Sequence, residues 1–162
     1  MLRQLIATAD DVGPTIARVA LGLVITPHGM QKLFGRFGGY DFAGTMHYFT
    51  DTIGAPWILG FLAIMAEFFG GIGLVVGLLS CAAALGVSAT LATAVLTVHV
   101  QYGFFGNWLG NQQGEGVEYF ILGVALGPLV MVKGSGAYSL DGLLSRPAAT
   151  SQRQRPRLPK AA

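Results

Sequence analysis

Residues 57–98 read WILGFLAIMAEFFGGIGLVVGLLSCAAALGVSATLATAVLTV, and this apolar stretch decides the fold. Glu67 is its only charged residue. One helix over the whole stretch would be about 63 Å long at 1.5 Å per residue, roughly twice the thickness of the hydrocarbon core of a bilayer. The stretch therefore predicts two membrane-spanning helices, 57–78 and 82–100, which fold back on each other near Leu79–Ser80–Cys81.

Two further apolar segments flank this pair. The first, 14–34, begins with an acidic pair and Pro14, as helices often do. A cleaved signal peptide is not predicted there, because acids rather than bases precede the segment and no small-residue cleavage pattern follows it. The last, 117–132, ends at Lys133 and should kink at Pro128, which removes a helical hydrogen bond. Residues 14–144 are therefore predicted to form an all-α, four-helix transmembrane domain.

The composition agrees with a membrane location. Of the 162 residues, 52% are hydrophobic and 11% are charged, whereas a soluble domain has about 25% charged residues. The net charge of +2 is too small to indicate a nucleic-acid partner. Cys81 is the single cysteine. It excludes an intrachain disulfide and chemistry that needs a cysteine pair, and a packing role is predicted for it.

The distribution of basic residues predicts the orientation. Loops 35–56 and 101–116 contain one base between them, Arg36, while the other side of the membrane would carry most of the bases. The positive-inside rule then predicts both termini in the cytoplasm. Residues 1–13 would be a cytoplasmic N-terminus. Residues 145–162 are rich in arginine and proline and predict a disordered basic cytoplasmic tail.

Small residues predict where the helices pack. The spacings Gly73-xxx-Gly77 and Ala66-xxx-Gly70 place small residues on one helix face, which allows close helix contacts in lipid. The same faces could instead form a homo-oligomer interface. The two long loops are rich in aromatic residues, which are typical of the membrane interface. A short amphipathic helix is expected over Asp41–Thr52.

Every predicted span places polar side chains in the outer half of the membrane, where they are costly and usually face the bundle interior. Glu67 lies deepest, about 15 Å below the outer surface. It should be paired with Lys32 or His28, or be protonated. Either the group is a structural polar network, or it forms a pocket with a polar floor that is open to the outer leaflet. In the second case Glu67, His28 and His99 would handle protons. The residues expected to bind a ligand are His28, Lys32, Glu67, His99, Glu118 and Tyr119.

Other ligands and contacts were weighed from the same residues. His28 and His99 could hold a b-type haem, a less favoured alternative. His47, near Asp41 and Asp51, is expected to be a solvated loop histidine, so no metal site is predicted. Arg18 should reach the interface or pair with Asp141.

Several of these motifs, taken in order, resemble the DoxX family of membrane proteins. The first is the run from Arg18 to Gly35, RVALGLVITPHGMQKLFG, followed by AEFFGG over 66–71. His99 with the following GFF, GVEY over 116–119 and YSLD over 138–141 match later parts of the family pattern. The resemblance covers about 18–144 and implies a four-helix protein of the bacterial or archaeal inner membrane.

The resemblance also raises a redox role, because the family name comes from a subunit of a thiosulfate:quinone oxidoreductase. The prediction is a membrane subunit of a redox-associated complex, linked to quinone or to oxidative or sulfur stress, that holds a quinone-like molecule. The sequence carries no flavin or iron–sulfur motif, so any oxidoreductase activity would need a soluble or membrane redox partner. The alternatives are a protein that binds or transports a small hydrophobic metabolite, and a structural scaffold.

Overall fold

The apolar stretches form long helices. The structure, a computed structural model, describes residues 11–145, and within that range it contains helices and no strand. The all-α prediction is confirmed for this part of the chain. The predictions for 1–10 and 146–162 lie outside the described residues. The helices are α1 (Val12–Phe34), α2 (Asp41–His47), α3 (Trp57–Val76), α4 (Ser80–Tyr102), α5 (Glu118–Lys133) and α6 (Leu140–Ser145).

Two of the long helices change their winding near the polar residues. In α3, the α-helical segments Trp57–Met65 and Gly71–Val76 are joined by a π-helical turn, Ala66–Gly70. In α4, the segment Ser80–Ala94 continues as a π-helical turn, Val95–His99. Single π-helical turns are rare and often occur at functional sites. Glu67 lies in the first turn and His99 ends the second.

The four long helices pack in a ring. Helix α1 contacts α3 and α5, and α4 contacts α5 and the π-helical turn of α3. Successive helices in this order run antiparallel, as in an up-down-up-down bundle. The buried core takes apolar side chains from all four: Ala17, Leu21, Ile25, Leu74, Ala84, Val87, Leu91, Phe120 and Val130.

Helices α3 and α4 are long and apolar enough to cross a membrane. Their mean hydropathies are 2.1 and 1.9, yet only 28% and 22% of the residues in their most apolar segments are buried. A core helix of a soluble protein with this composition would be mostly buried. The exposed apolar faces therefore fit lipid contact. The number of helices that cross the bilayer, and their orientation, stay predictions.

Glycines set the closest helix contacts, but not all at the expected positions. A Cβ atom built on Gly22 would lie 2.7 Å from the Gly71 carbonyl oxygen, so α1 and α3 cross there almost backbone to backbone. Gly77 was expected to lie on a helix face that packs closely against a neighbouring helix. Instead it ends α3 with φ +73°, and a Cβ there would lie 2.5 Å from the Ser139 Cβ. The predicted Gly73-xxx-Gly77 pair is wrong in this respect, because the turn into α4 begins at Gly77.

The two ends of the bundle differ. At one end lie the loop 35–56, which contains α2, and the loop 103–117; both are rich in aromatic residues, and we call this the aromatic end. A helix is present over Asp41–His47 as expected, and its buried Met46 faces Gly60 of α3. At the other end, called the Arg18 end, Arg18 is buried beside the α3–α4 turn.

Candidate functional site

A partly buried ion pair joins α1 to α3 in the half of the bundle nearer the aromatic end. The Lys32 Nζ lies 2.5 Å from the Glu67 Oε2. The Glu67 side chain is 5% exposed and that of Lys32 is 26% exposed. Of the states predicted for Glu67, the structure shows the pair with Lys32. An ion pair this poorly solvated is weak evidence for stability, because desolvation of the two charges offsets much of their attraction.

Local backbone geometry places these two groups together. A Cβ on Gly29 would lie 2.5 Å from the Phe68 Cα, so α1 approaches the π-helical turn of α3 closely at that level. Lys32 follows Gly29 by three residues, which is nearly one helical turn. Its side chain can therefore reach Glu67, the residue before Phe68. Gly29 and the π-helical turn together set the position of the ion pair.

His28 and Tyr119 lie on the neighbouring α1–α5 contact. Their rings are nearly parallel, with an interplanar angle of 17° and centroids 5.8 Å apart. The His28 Nδ1 lies 3.0 Å from the Val24 carbonyl oxygen. A carbonyl only accepts hydrogen bonds, so Nδ1 must carry the proton and Nε2 of the neutral ring is left as an acceptor. Tyr119 is within electrostatic range of Glu67. We call Lys32, Glu67, His28 and Tyr119 the ion-pair site.

His99 and Glu118 have other neighbours. The His99 Nδ1 lies 2.9 Å from the Glu115 carbonyl oxygen. The centroids of the His99 and Phe120 rings are 4.1 Å apart. The Glu118 carboxylate accepts hydrogen bonds from the Gly106 N–H at 2.9 Å and the Trp108 indole N–H at 2.6 Å. The predicted group of ligand-binding residues therefore falls into two parts, with His99 and Glu118 apart from the ion-pair site. These two residues hold the loop 103–117 instead of meeting Glu67, because both stand where their helices enter that loop.

The loop 103–117 contains residues that sequence reasoning missed. The Glu115 carboxylate accepts a hydrogen bond from the Asn107 N–H at 2.7 Å, and Asn107 and Gln112 exchange two further bonds. No spacing in the sequence announces these contacts, because they join backbone groups to side chains within an irregular loop. A chain of rings, Tyr119 to Phe120 to His99, connects this loop to the ion-pair site.

Arg18 does not behave as predicted. It is 1% exposed and donates five hydrogen bonds to backbone carbonyls, at 2.7 to 3.2 Å. The acceptors are the carbonyls of Leu74, Val75, Ser135, Ala137 and Tyr138. It neither reaches the interface nor forms an ion pair with Asp141. The last carbonyls of a helix lack partners of their own, and the guanidinium supplies donors to those of α3.

Asp141 completes this arrangement at the Arg18 end. It is fully buried and accepts hydrogen bonds from the Leu79 N–H at 2.8 Å, the Ser80 N–H at 3.0 Å and the Ser135 hydroxyl at 2.5 Å. A carboxylate at the start of α4 satisfies free N–H groups and suits the helix dipole. The contacts of Arg18 and Asp141 together form the Arg18 network. Its groups bond to one another, so we assign it a structural role.

The cavity between α1 and α3 is not the expected polar-floored pocket. It is a groove of about 300 Å³ lined by Leu23, Thr26, Pro27, Ile72 and Val75. Leu23 and Pro27 share a face of α1 that is turned by about 140° from that of His28 and Lys32. The groove is therefore apolar and lies on the outer surface of the bundle. The Thr26 hydroxyl turns away from it to the Gly22 carbonyl, at 2.6 Å.

The histidines offer little to a metal or a haem. Within residues 11–145, no three His, Cys, Asp or Glu residues come together as metal ligands. A haem between His28 and His99 would have to displace the Tyr119 and Phe120 rings that cover them. His47 is exposed, and its Nδ1 lies 2.6 Å from the Asp51 Oδ2. A hydrogen bond from the Thr50 hydroxyl lowers the pKa of the Asp51 carboxyl, and the His47 charge adds to that effect.

Comparison with known proteins gives consistent results. The family model DoxX matches residues 13–100. "Inner membrane protein YqjF" of Escherichia coli K12 is 32% identical over 142 residues, which is 85% of this chain and 95% of that protein. "Putative oxidoreductase CatD" of Bacillus subtilis 168 is 28% identical over 97 residues, 60% of this chain and 67% of that protein. No solved structure matches the chain significantly.

Proposed function

The chain belongs to the DoxX family and is an inner membrane protein, and from that premise we propose that it binds a quinone-like ring at the ion-pair site. In this proposal the chain is the membrane subunit of a redox-associated complex. It positions the ring and exchanges protons with it. The observation that carries the proposal is the Lys32–Glu67 pair, a proton donor beside a proton acceptor in apolar surroundings.

The proposed topology has four spans, with α1, α3, α4 and α5 crossing the bilayer and the aromatic end outside. The antiparallel ring of helices supports an even number of crossings. Helix α5 has 16 residues, about 24 Å, which is short for a span. A thinner bilayer around α5 would accommodate that length at modest cost. Arg18 and Lys133 then lie on the cytoplasmic side, in agreement with the positive-inside rule.

The chemistry of the site suits a ring with two carbonyl groups. The Lys32 ammonium can donate a hydrogen bond to a carbonyl oxygen, and the Tyr119 hydroxyl can donate a second. The His28 Nε2 can accept a proton from a ring hydroxyl, because its Nδ1 is already held by Val24. The Glu67 carboxylate can accept a proton from the Lys32 ammonium across 2.5 Å. General acid–base groups in a site with little water fit proton exchange with a lipid-soluble carrier.

In this proposal the protein needs a partner that carries electrons to or from the bound ring. The sequence carries no flavin or iron–sulfur motif, so a soluble or membrane redox protein would supply or accept them. The name of the Bacillus subtilis relative, an oxidoreductase, supports a redox role by kinship alone. The ring-lined loop 103–117 lies at the same end of the bundle as the site, and we propose it as the surface for such a partner.

A binding measurement tests the proposal. The protein, in lipid nanodiscs, would be titrated with decylubiquinone and with a short-chain menaquinone, while quenching of its tryptophan fluorescence is recorded. We expect saturable binding of at least one quinone and its loss in Glu67→Gln. Lys133→Gln, at an exposed position, is the control and should bind normally. Absence of saturable binding, or equal binding by Glu67→Gln, would contradict the proposal.

The apolar groove favours a second candidate function, the binding of a small hydrophobic metabolite without redox chemistry. Its lining offers one hydroxyl, that of Thr26, which already bonds to its own helix. A molecule held there would need no charged group. Mass spectrometry of lipids that co-purify with the protein separates the two functions. Retention of an apolar molecule by wild type and by Glu67→Gln alike would favour the second.

A further inference from the structure

One contact between helices at the ion-pair site differs from the other three. Resting on the proposed function, we propose that the ligand enters laterally from the lipid between α1 and α5, through the contact of His28 with Tyr119. The ligand class follows from this route: a small planar polar ring on an apolar tail, with the tail left in the bilayer beside Val24 and Leu122.

The α1–α3 contact is closed by backbone. A Cβ on Gly29 would lie 2.5 Å from the Phe68 Cα, and one on Gly71 would lie 2.5 Å from the Thr26 hydroxyl oxygen. The Phe34 and Phe68 rings pack edge to face beyond this point, with centroids 5.2 Å apart. No side-chain rotation opens a contact made by main-chain atoms. The helices themselves would have to separate.

The contacts of α4 with its two neighbours are also tight. Against α3, a Cβ on Gly86 would lie 3.3 Å from the Ala66 Cβ. Against α5, a Cβ on Gly123 would lie 2.6 Å from the Leu91 Cδ1, and one on Gly127 would overlap the Ser88 hydroxyl. Small residues at close helix contacts leave no room for a ligand. Both contacts are therefore poor entry routes.

The α1–α5 contact near Glu67 is closed by two side chains. His28 and Tyr119 are both half-buried, and their ring centroids are 5.8 Å apart. In the proposed route, rotation about their side-chain bonds opens a path from the lipid to Lys32 and Glu67 without moving either helix. Side-chain rotation is also far faster than helix separation. Each ring can offer a flat aromatic face to a planar ligand.

The surface beside this contact is apolar. Val24 precedes His28 by one helical turn and is 45% exposed, and Leu122 follows Tyr119 by nearly one turn and is 68% exposed. A ligand whose ring reaches Glu67 would leave its remaining part against these side chains. Charged tails would be excluded from such a surface. An isoprenoid or alkyl tail fits it.

The route is tested by crosslinking α1 to α5 and, as a control, α1 to α3. In a Cys81→Ser background, Val24→Cys with Leu122→Cys places thiols on the two helices of the α1–α5 contact, along the proposed path of the tail and outside the ion-pair site. Leu23→Cys with Ile72→Cys is the matched control across α1–α3; these positions are also exposed and line the apolar groove, which takes no part in the proposed quinone binding. Flexible bis-methanethiosulfonate reagents of graded length would link each pair in nanodiscs through disulfides, which a thiol reductant can break. Stopped-flow fluorescence would then record the association rate of decylubiquinone before and after reduction of the link.

We expect the α1–α5 link to slow association by about tenfold or more, because the linker then lies across the path between the two helices that the ligand has to pass. Reduction should restore the rate, and the α1–α3 link should leave it unchanged. An unchanged rate with the α1–α5 link, or equal slowing by both links, would overturn lateral entry while leaving quinone binding intact. If the unlinked protein fails to bind any quinone, the proposed function fails and the route with it.

Discussion

At the residue scale, the cost of burying a charged side chain is offset in different ways at Glu67 and at Arg18. Glu67 is neutralised by one partner, Lys32, which stays partly exposed. Arg18 is surrounded by carbonyl dipoles and donates five hydrogen bonds to them. A guanidinium with all its donors used has little left for chemistry, whereas the ion pair keeps a mobile proton. The difference explains why we place the function at Glu67.

The first prediction separates the charge of Glu67 from its shape. Glu67→Gln keeps a hydrogen bond but leaves the Lys32 ammonium without a counter-charge, and we expect a loss of about 1–3 kcal/mol in stability. Lys32→Met combined with Glu67→Gln should recover most of that loss, because the unpaired charge is gone. Thermal unfolding in mild detergent measures both. Equal stability of single and double variants would show that the pair is solvated.

Complementation separates structure from chemistry at the same residue. A deletion strain under oxidative or sulfur stress would receive wild type or Glu67→Gln. We expect the variant to accumulate in the membrane and fail to complement. Full complementation by a stable Glu67→Gln protein would favour the structural-network interpretation over proton handling.

The second prediction concerns Arg18. Arg18→Lys keeps the charge but loses the planar fork of donors that binds several carbonyls at once. We expect a stability loss of about 3 kcal/mol or more, since several buried carbonyls lose their partner. Arg36→Lys, at an exposed position, should be neutral. Unfolding of both variants would be followed in the same detergent. A small effect at Arg18 would mean that water replaces the lost bonds.

At the element scale, glycines decide how closely the helices pack. We predict that Gly71→Ala destabilises the bundle by about 1–3 kcal/mol, because its Cβ would meet the Thr26 hydroxyl and Ile25 at 2.5 and 2.9 Å. Gly70→Ala is the matched control one residue earlier, where the nearest atom is at 3.4 Å. Thermal stability of the two variants gives the comparison. Similar melting temperatures would show that α1 and α3 can separate without cost.

The helices were predictable from the sequence, and many of their contacts were not. Long apolar runs have lengths that only helices in lipid satisfy, so the positions of α3 and α4 follow from composition. The pairing of Glu67 followed from the cost of a lone buried carboxylate. The acceptors of Arg18 are backbone carbonyls 56 to 120 residues away, and carbonyls carry no sequence signal. The π-helical turns likewise have no sequence signature that local propensity would reveal.

At the scale of the whole molecule, orientation in the membrane gives the fourth prediction. In a Cys81→Ser background, Leu109→Cys at the aromatic end should react with a membrane-impermeant thiol reagent in spheroplasts. Leu143→Cys in α6 should react only after the membrane is opened. Both positions are well exposed, Leu109 at 85% and Leu143 at 64%. Labelling of Leu143→Cys from outside would reverse the proposed orientation.

The Arg18 network also has a consequence for how the protein is made. Arg18 lies in the first helix, but its partner Ser135 is 117 residues further along the chain. At 5–20 residues per second, synthesis needs roughly 6 to 23 s to supply that partner. During this interval the nascent first helix holds an arginine that lacks its final acceptors. Completion of the C-terminal segment thus marks the moment of maturation, and a chain truncated before Ser135 would be a natural target for membrane proteases.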